Sequence, residues 1–183
     1  MNVLPTKIDG LVIVETSKNI DNRGEFFRAF CQSELATVIG DRRIVQINIS
    51  KTLAIGAVRG MHFQRPPHAE MKLIRCIKGK IWDVAVDLRA DSPTFKQWHA
   101  EELSVATAKM IVIPEGCAHG FQVLEKDSEL LYLHTAPYSP ESEGGIQHND
   151  PTINVQWPLE ITEISDRDRQ HPIFGPDFQG ILL

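Results

Sequence analysis

Apolar and polar residues alternate along the chain as far as Thr135, which is the pattern of half-buried β-strands. The clearest segment is 81–88 (IWDVAVDL), in which the even positions are apolar and Asp83, Ala85 and Asp87 occupy the other face. The pattern predicts further strands at 11–15, 25–30, 44–50, 71–77, 98–103, 109–113, 120–124 and 130–135. Turn-forming sequences separate them, for example DNRG at 21–24 and PEG at 114–116.

Few helices accompany these strands. Ser33 is predicted to cap a helix over 34–39, and 161–168 is predicted to hold a short helical turn. After Tyr138 the sequence becomes rich in turns, so the tail is predicted to wrap the strands instead of forming a second domain. Many short strands with few helices predict an all-β sandwich or barrel, most naturally a jelly roll, formed by 1–183 as a single domain.

Composition excludes several classes of protein. The 183 residues suffice for one sizeable core, and 42% hydrophobic content argues against disorder. A net charge of −5 disfavours nucleic-acid and membrane surfaces as partners, although a local basic pocket is still compatible with it. The three cysteines form no CxxC pair, and the start of the chain lacks the apolar stretch of a signal peptide. We therefore expect a cytoplasmic protein.

Polar residues of unusually varied chemistry interrupt the predicted strands. A single polar residue in a strand usually lies on the solvent-exposed face of the sheet, but several on inward faces would line a ligand pocket. Arg59 and His62 have opposite parity on a flat strand, so both face one pocket only if Gly60 permits a bulge. The polar set is Gln46, Asn48, Arg59, His62, Lys72, His119 and Tyr132.

A metal site is one interpretation of His62 and His119, since metal-binding cupins carry an HxH pair, a following carboxylate and a third histidine on a later strand. In that pattern a second histidine would stand at Gln64, and Glu70 lies slightly too far along. Two histidines with an amide and a displaced carboxylate make a poor ligand set for a transition metal. The sequence therefore predicts a cupin framework without a functional metal.

The chain resembles the dTDP-4-dehydrorhamnose 3,5-epimerase family, which are metal-free cupins acting on nucleotide-linked 4-keto sugars. The resemblance extends nearly end to end. It rests on ordered matches that include DNRG at 21–24, QINIS at 46–50, RGMHFQ at 59–64, DVAVDLR at 83–89, SPTF at 92–95, IPEGCAHGF at 113–121, Tyr132, Tyr138, Glu143, the DP and WP pairs at 150–151 and 157–158, and SDRD at 165–168.

The resemblance implies catalytic roles for four residues. His62 resembles the general base, Asp168 its orienting carboxylate, Tyr132 the acid on the opposite face, and Lys72 the cation that stabilises the enolate. It also implies substrate contacts, with Arg23 and Arg59 on the diphosphate. The further contacts implied are Gln46, Asn48, His119, Tyr138, Glu143 and Arg167.

Three positions depart from the family's usual pattern. Arg28 stands where a glutamate usually lies near the nucleoside, Phe63 replaces a tyrosine, and Met71 replaces a glycine. A guanidinium only donates hydrogen bonds, whereas the ring N–H of thymine needs an acceptor. Our hypothesis is that Arg28 turns the preference from dTDP towards CDP- or GDP-linked sugars; its alternative role is to contact the diphosphate or ribose.

We therefore expect a cofactor-independent isomerase that epimerises carbon 3, carbon 5 or both of a nucleotide-linked 4-keto-6-deoxy hexose. Such a reaction belongs to deoxysugar and polysaccharide biosynthesis. The family also implies a homodimer with exchanged N-terminal strands. The alternatives are a non-catalytic sugar-nucleotide-binding cupin and a metal-dependent cupin oxygenase. His134, His148 and His171 have no assigned role and are expected to be structural or exposed.

Overall fold

A computed structural model describes all residues from 1 to 183. Thirteen strands and two short helices follow one another along the chain. They are β1 (Asn2–Pro5), β2 (Val12–Glu15), β3 (Asn19–Asp21), β4 (Gly24–Phe26), α1 (Ala36–Ile39), β5 (Gln46–Thr52), β6 (Val58–Gln64), β7 (Lys72–Lys78), β8 (Lys80–Asp87), β9 (Trp98–Ser104), β10 (Met110–Ile113), β11 (Cys117–Val123), β12 (Ser128–His134), β13 (Glu143–Gly145) and α2 (Asp166–Arg169). Neither helix is long and apolar enough to cross a membrane.

Two antiparallel sheets form the body of the fold. The first has six strands in the order β1-β2-β10-β7-β12-β5, and the second has five in the order β13-β6-β11-β8-β9. Apolar side chains from both sheets, such as Ile74 and Ile111 from the first and Ile81 and Phe121 from the second, pack into one buried cluster. The predicted all-β, cupin-type jelly-roll sandwich is confirmed.

The outer face of the five-stranded sheet is covered by the C-terminal tail. Val84 and Val86 of β8 pack there against Ile153 and Phe174, and all four side chains are buried. The opposite face of β8 carries Asp83, which is also fully buried. The tail thus wraps the sandwich as predicted, and its last helix comes to lie beside β6.

Several boundaries differ from the predicted ones. Helix α1 begins at Ala36, and its N-cap is Leu35 without a side-chain hydrogen bond, so the prediction that Ser33 caps it was wrong. The predicted strand at 25–30 ends already at Phe26. Strand β11 starts at Cys117, three residues before its predicted start. Glycine-containing strands such as β6 and β13 lack a clean alternation of polar and apolar residues, so the pattern does not delimit them.

Strand β6 is irregular at Gly60, as the sequence predicted. Its φ is +122°, a conformation that side-chain-bearing residues rarely adopt, and a Cβ there would lie 2.5 Å from the Cα of Gly120. The pairing of β6 with β11 shifts register at this point, between the His119–His62 and Phe121–Arg59 pairs. Arg59 and His62 consequently reach the same cavity despite their opposite parity.

Candidate active site

A cavity of about 1090 Å³ opens between the two sheets, with the segment 162–169 closing one side. Most of the predicted site residues line it, and they come from both sheets and from α2. Gln46, Arg23 and Arg28 do not. The predicted residues that line the cavity are Asn48, Arg59, His62, Lys72, His119, Tyr132, Tyr138, Glu143, Arg167 and Asp168.

His62, on β6 of the five-stranded sheet, and Asp168, in α2, form a hydrogen-bonded pair. His62 Nε2 lies 2.8 Å from Asp168 Oδ1, while the Gly60 N–H donates to Oδ2 at 3.1 Å. Helix α2 fixes the carboxylate, because the hydroxyl of its N-cap Ser165 accepts the Asp168 N–H. Burial by itself would raise the pKa of Asp168, but the hydrogen bonds from His62 and Gly60 hold it below the ordinary value.

The protonation pattern of His62 follows from this pair. An ionised carboxylate only accepts hydrogen bonds, so Nε2 carries the proton that faces Asp168. The other ring nitrogen, Nδ1, makes no hydrogen bond within the chain and is left as the basic atom. His62 is 32% exposed at its side chain, which lets a ligand in the cavity reach it. The pair therefore has the arrangement of an oriented general base.

His171 is a third member of this cluster that the sequence reasoning missed. Its Nε2 lies 3.8 Å from Asp168 Oδ1, and its ring stands edge-on to the His62 ring with centroids 5.3 Å apart. Burial lowers the pKa of His171, with the neighbouring His62 as a further cause. His171 follows Asp168 by three residues but lies beyond the end of α2 at Arg169, so helical spacing does not predict its position.

Tyr132 occupies the opposite wall, on β12 of the six-stranded sheet. Its ring meets the His119 ring edge-on, at a centroid distance of 5.8 Å, and stacks on His134 at 5.9 Å. Burial raises the pKa of the phenol well above its usual value, and the nearby Asp83 carboxylate adds to the effect. Tyr132 is therefore a neutral proton donor at physiological pH.

Lys72 lies in a buried charged network beside Tyr132. Its ammonium is 2.8 Å from Glu70 Oε1, and His134 Nδ1 lies 2.6 Å from Glu70 Oε2. Burial opposes ionisation of Glu70, but His134 and Lys72 together hold its pKa below the ordinary value. His134 Nε2 contacts Asn48 Nδ2 at 3.3 Å. Glu70 and His134 had no assigned role; the antiparallel pairing of His134 with Lys72 brings them together.

His119 is tied to a second buried carboxylate. Its Nε2 lies 2.9 Å from Asp83 Oδ2, and the burial of Asp83 raises the pKa of that carboxyl. The His119 side chain is only 6% exposed. It lines the cavity next to His62, its partner across the β6–β11 pairing.

The rim of the cavity carries a smaller polar group. Tyr138 donates its hydroxyl to Glu143 at 2.8 Å, and Arg167 forms an ion pair with the same carboxylate. Burial would raise the pKa of Glu143, yet Arg167 and Tyr138 keep it lowered. Gln46 lies just behind this rim, where its side-chain carbonyl accepts the Tyr138 N–H at 2.9 Å.

Arg23 and Arg28 lie away from the cavity of their own chain. Arg23 sits at the tip of the β3–β4 hairpin, is 85% exposed at its side chain and pairs with Asp21 at 2.6 Å. Arg28 forms an ion pair with Glu34, which also binds the N-terminal ammonium of Met1. Neither residue contacts the other predicted site residues within one chain.

The residues at the usual cupin metal positions have other partners. The Gln64 amide donates to the carbonyls of His68 and Pro137 and accepts the Ser139 N–H at 2.7 Å, so it is fully used in loop structure. Glu70 is held by Lys72 and His134. Both side chains are therefore engaged by partners within the protein.

A cupin-type jelly roll whose cavity holds a hydrogen-bonded histidine–aspartate pair, a tyrosine on the facing wall and a lysine ammonium carries groups suited to proton transfer. Comparison with known proteins identifies its family. The family model of dTDP-4-dehydrorhamnose 3,5-epimerase matches residues 5–175. The chain belongs to the dTDP-4-dehydrorhamnose 3,5-epimerase family.

Individual relatives agree with this assignment. The Salmonella typhimurium dTDP-4-dehydrorhamnose 3,5-epimerase is 42% identical over 94% of this chain and 95% of the relative. The Legionella pneumophila 3,5-epimerase, solved in complex with dTDP-4-keto-L-rhamnose, superposes with a TM-score of 0.88 at 38% identity, covering 93% of this chain and 90% of that one. ChmJ, a 3'-monoepimerase from Streptomyces bikiniensis solved with dTDP-quinovose, has a TM-score of 0.86 at 30% identity, covering 92% and 86%.

Proposed function

We propose that the protein epimerises carbon 3, carbon 5 or both of a nucleotide-diphosphate-linked 4-keto-6-deoxy hexose. The observation that carries this proposal is the placement of the His62–Asp168 pair and Tyr132 on different sheets around one cavity. Inversion of a carbon centre requires a proton to leave one face and another to arrive on the opposite face. Relatives that are named 3,5-epimerases support the same reaction.

The proposed reaction begins with proton removal. His62 Nδ1 accepts a proton from the carbon next to the ketone, and the electron pair of the C–H bond moves into the carbonyl to give an enolate. Asp168 stabilises the imidazolium that results, because its ionised carboxylate accepts the hydrogen bond from Nε2. Such a base contributes on the order of 10²–10⁴-fold to the rate.

The reaction ends with proton return. Lys72 stabilises the negative charge on the enolate oxygen, and Glu70 keeps its ammonium in place. Tyr132 then donates its proton to the opposite face of the same carbon, and the enolate electron pair forms the new C–H bond. Solvent restores the proton to Tyr132 and takes the one held by His62, so the enzyme returns to its starting state.

The nucleotide part is proposed to lie towards Arg59 and the rim. A guanidinium suits a diphosphate because its N–H fork meets two oxygens at once. Arg59 is exposed to the cavity and donates only to Thr52 Oγ1 and the Lys51 carbonyl, which leaves further N–H groups for phosphate. Asn48, His119, Tyr138, Glu143 and Arg167, with Gln46 behind them, are the proposed remaining contacts.

We further propose a homodimer in which N-terminal strands exchange. The β3–β4 hairpin forms a separate two-stranded sheet and exposes Ile20 at 71% and Phe26 at 75%. The edge strand β5 exposes Ile47 and Ile49 at 61% and 65%. Apolar groups this exposed favour association with a second chain. In that arrangement Arg23 reaches the diphosphate of the partner's cavity, and 1–183 acts as one cytoplasmic cupin domain.

A panel of nucleotide-linked 4-keto-6-deoxy sugars tests the function. The purified protein is incubated with each sugar in deuterium oxide, and NMR reports deuterium incorporation and configuration at carbons 3 and 5. Incorporation with inversion at one or both carbons is the expected result. A protein that binds these sugars without any exchange would instead be the non-catalytic binding cupin.

A further inference from the structure

His171 places an unpartnered polar atom beside the proposed base. Its Nε2 is buried and has no hydrogen-bond partner, and the 3.8 Å to Asp168 Oδ1 is too long for a hydrogen bond. Buried nitrogen atoms without a partner are rare in folded proteins, and those that occur often bind an ion or a water molecule. The atom points at a carboxylate that is itself only 5% exposed.

The ring of His171 is held firmly in this position. A Cβ at Gly145 would lie 2.5 Å from its Nε2, so only glycine leaves room for the imidazole. The Gln147 N–H donates to the carbonyl of Pro172 at 3.1 Å and fixes the adjoining backbone. Asp168 is fixed in turn by the Gly60 N–H and Ser165. Two of the three groups in the cluster are thus preorganised.

We propose that His62, Asp168 and His171 form a binding site for a divalent cation of the Zn²⁺ type. The three ligand atoms lie within 4.8 Å of one another. Tetrahedral Zn²⁺ with bonds of about 2.0–2.1 Å needs ligand atoms about 3.3 Å apart. Small shifts that bring His171 and Asp168 closer than their present 3.8 Å, together with rotation of the partly exposed His62, complete the geometry. Two imidazoles and one carboxylate with an open fourth position are a ligand set that Zn²⁺ accepts.

Occupation of this site opposes the proposed reaction; this part of the inference rests on the proposed function. A cation takes the lone pair of His62 Nε2, and a neutral imidazole bound in that way carries its proton on Nδ1. Nδ1 is the atom that must accept the proton of the sugar. The cation therefore acts as an inhibitor, and its removal by a chelator leaves the base available.

Binding is tested without turnover. Metal-stripped protein is titrated with ZnCl₂ by calorimetry, and with Co²⁺, whose visible absorption reports tetrahedral coordination. One ion per chain is expected. His171→Gln should weaken binding by more than the roughly 10–100-fold that is lost when a group merely supporting a metal ligand is removed. His99→Gln is the matched control, because His99 Nε2 is also buried, unpartnered and 3.8 Å from one carboxylate, that of Glu101, but it belongs to no group of three ligand atoms. This control should bind like the wild type.

NMR of the histidine rings tests the same site in the wild-type protein, so the result does not depend on whether the variants fold. The first equivalent of Zn²⁺ should shift the His62 and His171 rings and leave His99 unchanged. The proposal is overturned if the wild type binds no ion up to millimolar concentration, if His171→Gln binds as tightly as the wild type, or if other histidines respond first. Tight binding by a protein that epimerises no sugar would retain the cation site and refute the proposed function.

Discussion

The cavity and the N-terminal hairpin differ in how firmly they hold the side chains proposed to act on the substrate. Around the cavity, His62, Lys72 and His119 each contact a buried carboxylate of the same chain. On the hairpin, Arg23 is 85% exposed and pairs only with Asp21, two residues away. The first region is preorganised, and the second is not.

The difference separates the chemistry from the substrate binding. Proton transfer requires groups held at fixed distances, and a single chain supplies all of those that we propose. Recognition of a flexible diphosphate tolerates an exposed arginine, and the proposed exchange of strands brings one from a second chain. A variant in the cavity should therefore lower kcat, whereas a variant on the hairpin should raise KM.

Among the variants measured by steady-state kinetics, the largest effect is expected at the carboxylate that orients His62. Asp168→Asn removes the charge that orients His62 and stabilises its imidazolium, so kcat should fall on the order of 10²–10⁴-fold with little change in KM. Steady-state kinetics measure both constants. Asp168→Glu, which keeps the charge, should recover part of the loss. A wild-type kcat in Asp168→Asn would remove this residue from the mechanism.

Arg23→Ala should act on binding alone. A charge-assisted hydrogen bond contributes about 1.5–3 kcal/mol, so KM should rise roughly 10–100-fold while kcat stays near the wild-type value. Arg43→Ala, another exposed arginine, is the matched control and should change neither constant.

Mixed dimers test which chain Arg23 serves. If strands exchange, a dimer of one Arg23→Ala chain and one His62→Ala chain has one site with both defects and one site with neither. Activity should then reappear on mixing the two inactive or weakened proteins at low substrate concentration. If mixing restores nothing, Arg23 acts on its own chain or on none.

The buried Glu70 and the partly exposed Glu34 should differ in their contribution to the stability of the fold. Glu70 has a pKa below its ordinary value in the folded protein, so its contribution is present above about pH 4.3 and is lost as the pH falls further. Glu70→Gln should cost about 1–2 kcal/mol at pH 7 and flatten the loss of stability in acid. Glu34→Gln on the partly exposed Arg28 pair should cost under about 1 kcal/mol. Urea unfolding at several pH values measures both, and equal costs would contradict the comparison.

Arg28→Glu is expected to have the smallest effect, a change in the order of nucleotide affinities. Arg28 lies outside the cavity of its own chain, beside Glu34, so it reaches a base only in a partner's site. The wild type should prefer CDP or GDP to dTDP, and Arg28→Glu should shift the preference towards dTDP. Calorimetry with the three nucleotides checks this. The hypothesis fails if dTDP binds the wild type best or the order is unchanged.

The sequence alone predicts the sandwich well, because apolar and polar residues alternate clearly in its half-buried strands. It predicts that Arg59 and His62 both face the cavity only if Gly60 permits a bulge between them. The positive φ of Gly60 meets this requirement. Strand β6 is not predicted by the pattern, because both of its faces are largely buried and its residues therefore do not alternate between apolar and polar. The N-terminus of α1 differs from the prediction because Ser33 makes its contact with Cys31 instead of capping the helix.

The groups that support the site were harder to predict than the groups proposed to react. Glu70 and His134 are 64 residues apart and meet only through the pairing of β7 with β12, so no local motif shows them. His171 follows Asp168 closely, yet only the folded position of Gly145 against its ring reveals its role. Residues of this kind depend on register and packing, which the linear pattern does not contain.

Isotope exchange in deuterium oxide tests the central claim, that His62 removes a proton on one face and Tyr132 returns one on the other. His62→Ala should abolish deuterium incorporation at every carbon that the wild type exchanges. Tyr132→Phe should retain proton removal and exchange better than completed inversion, because only the returning acid is lost. Substantial exchange by His62→Ala, or full inversion by Tyr132→Phe, would contradict the account.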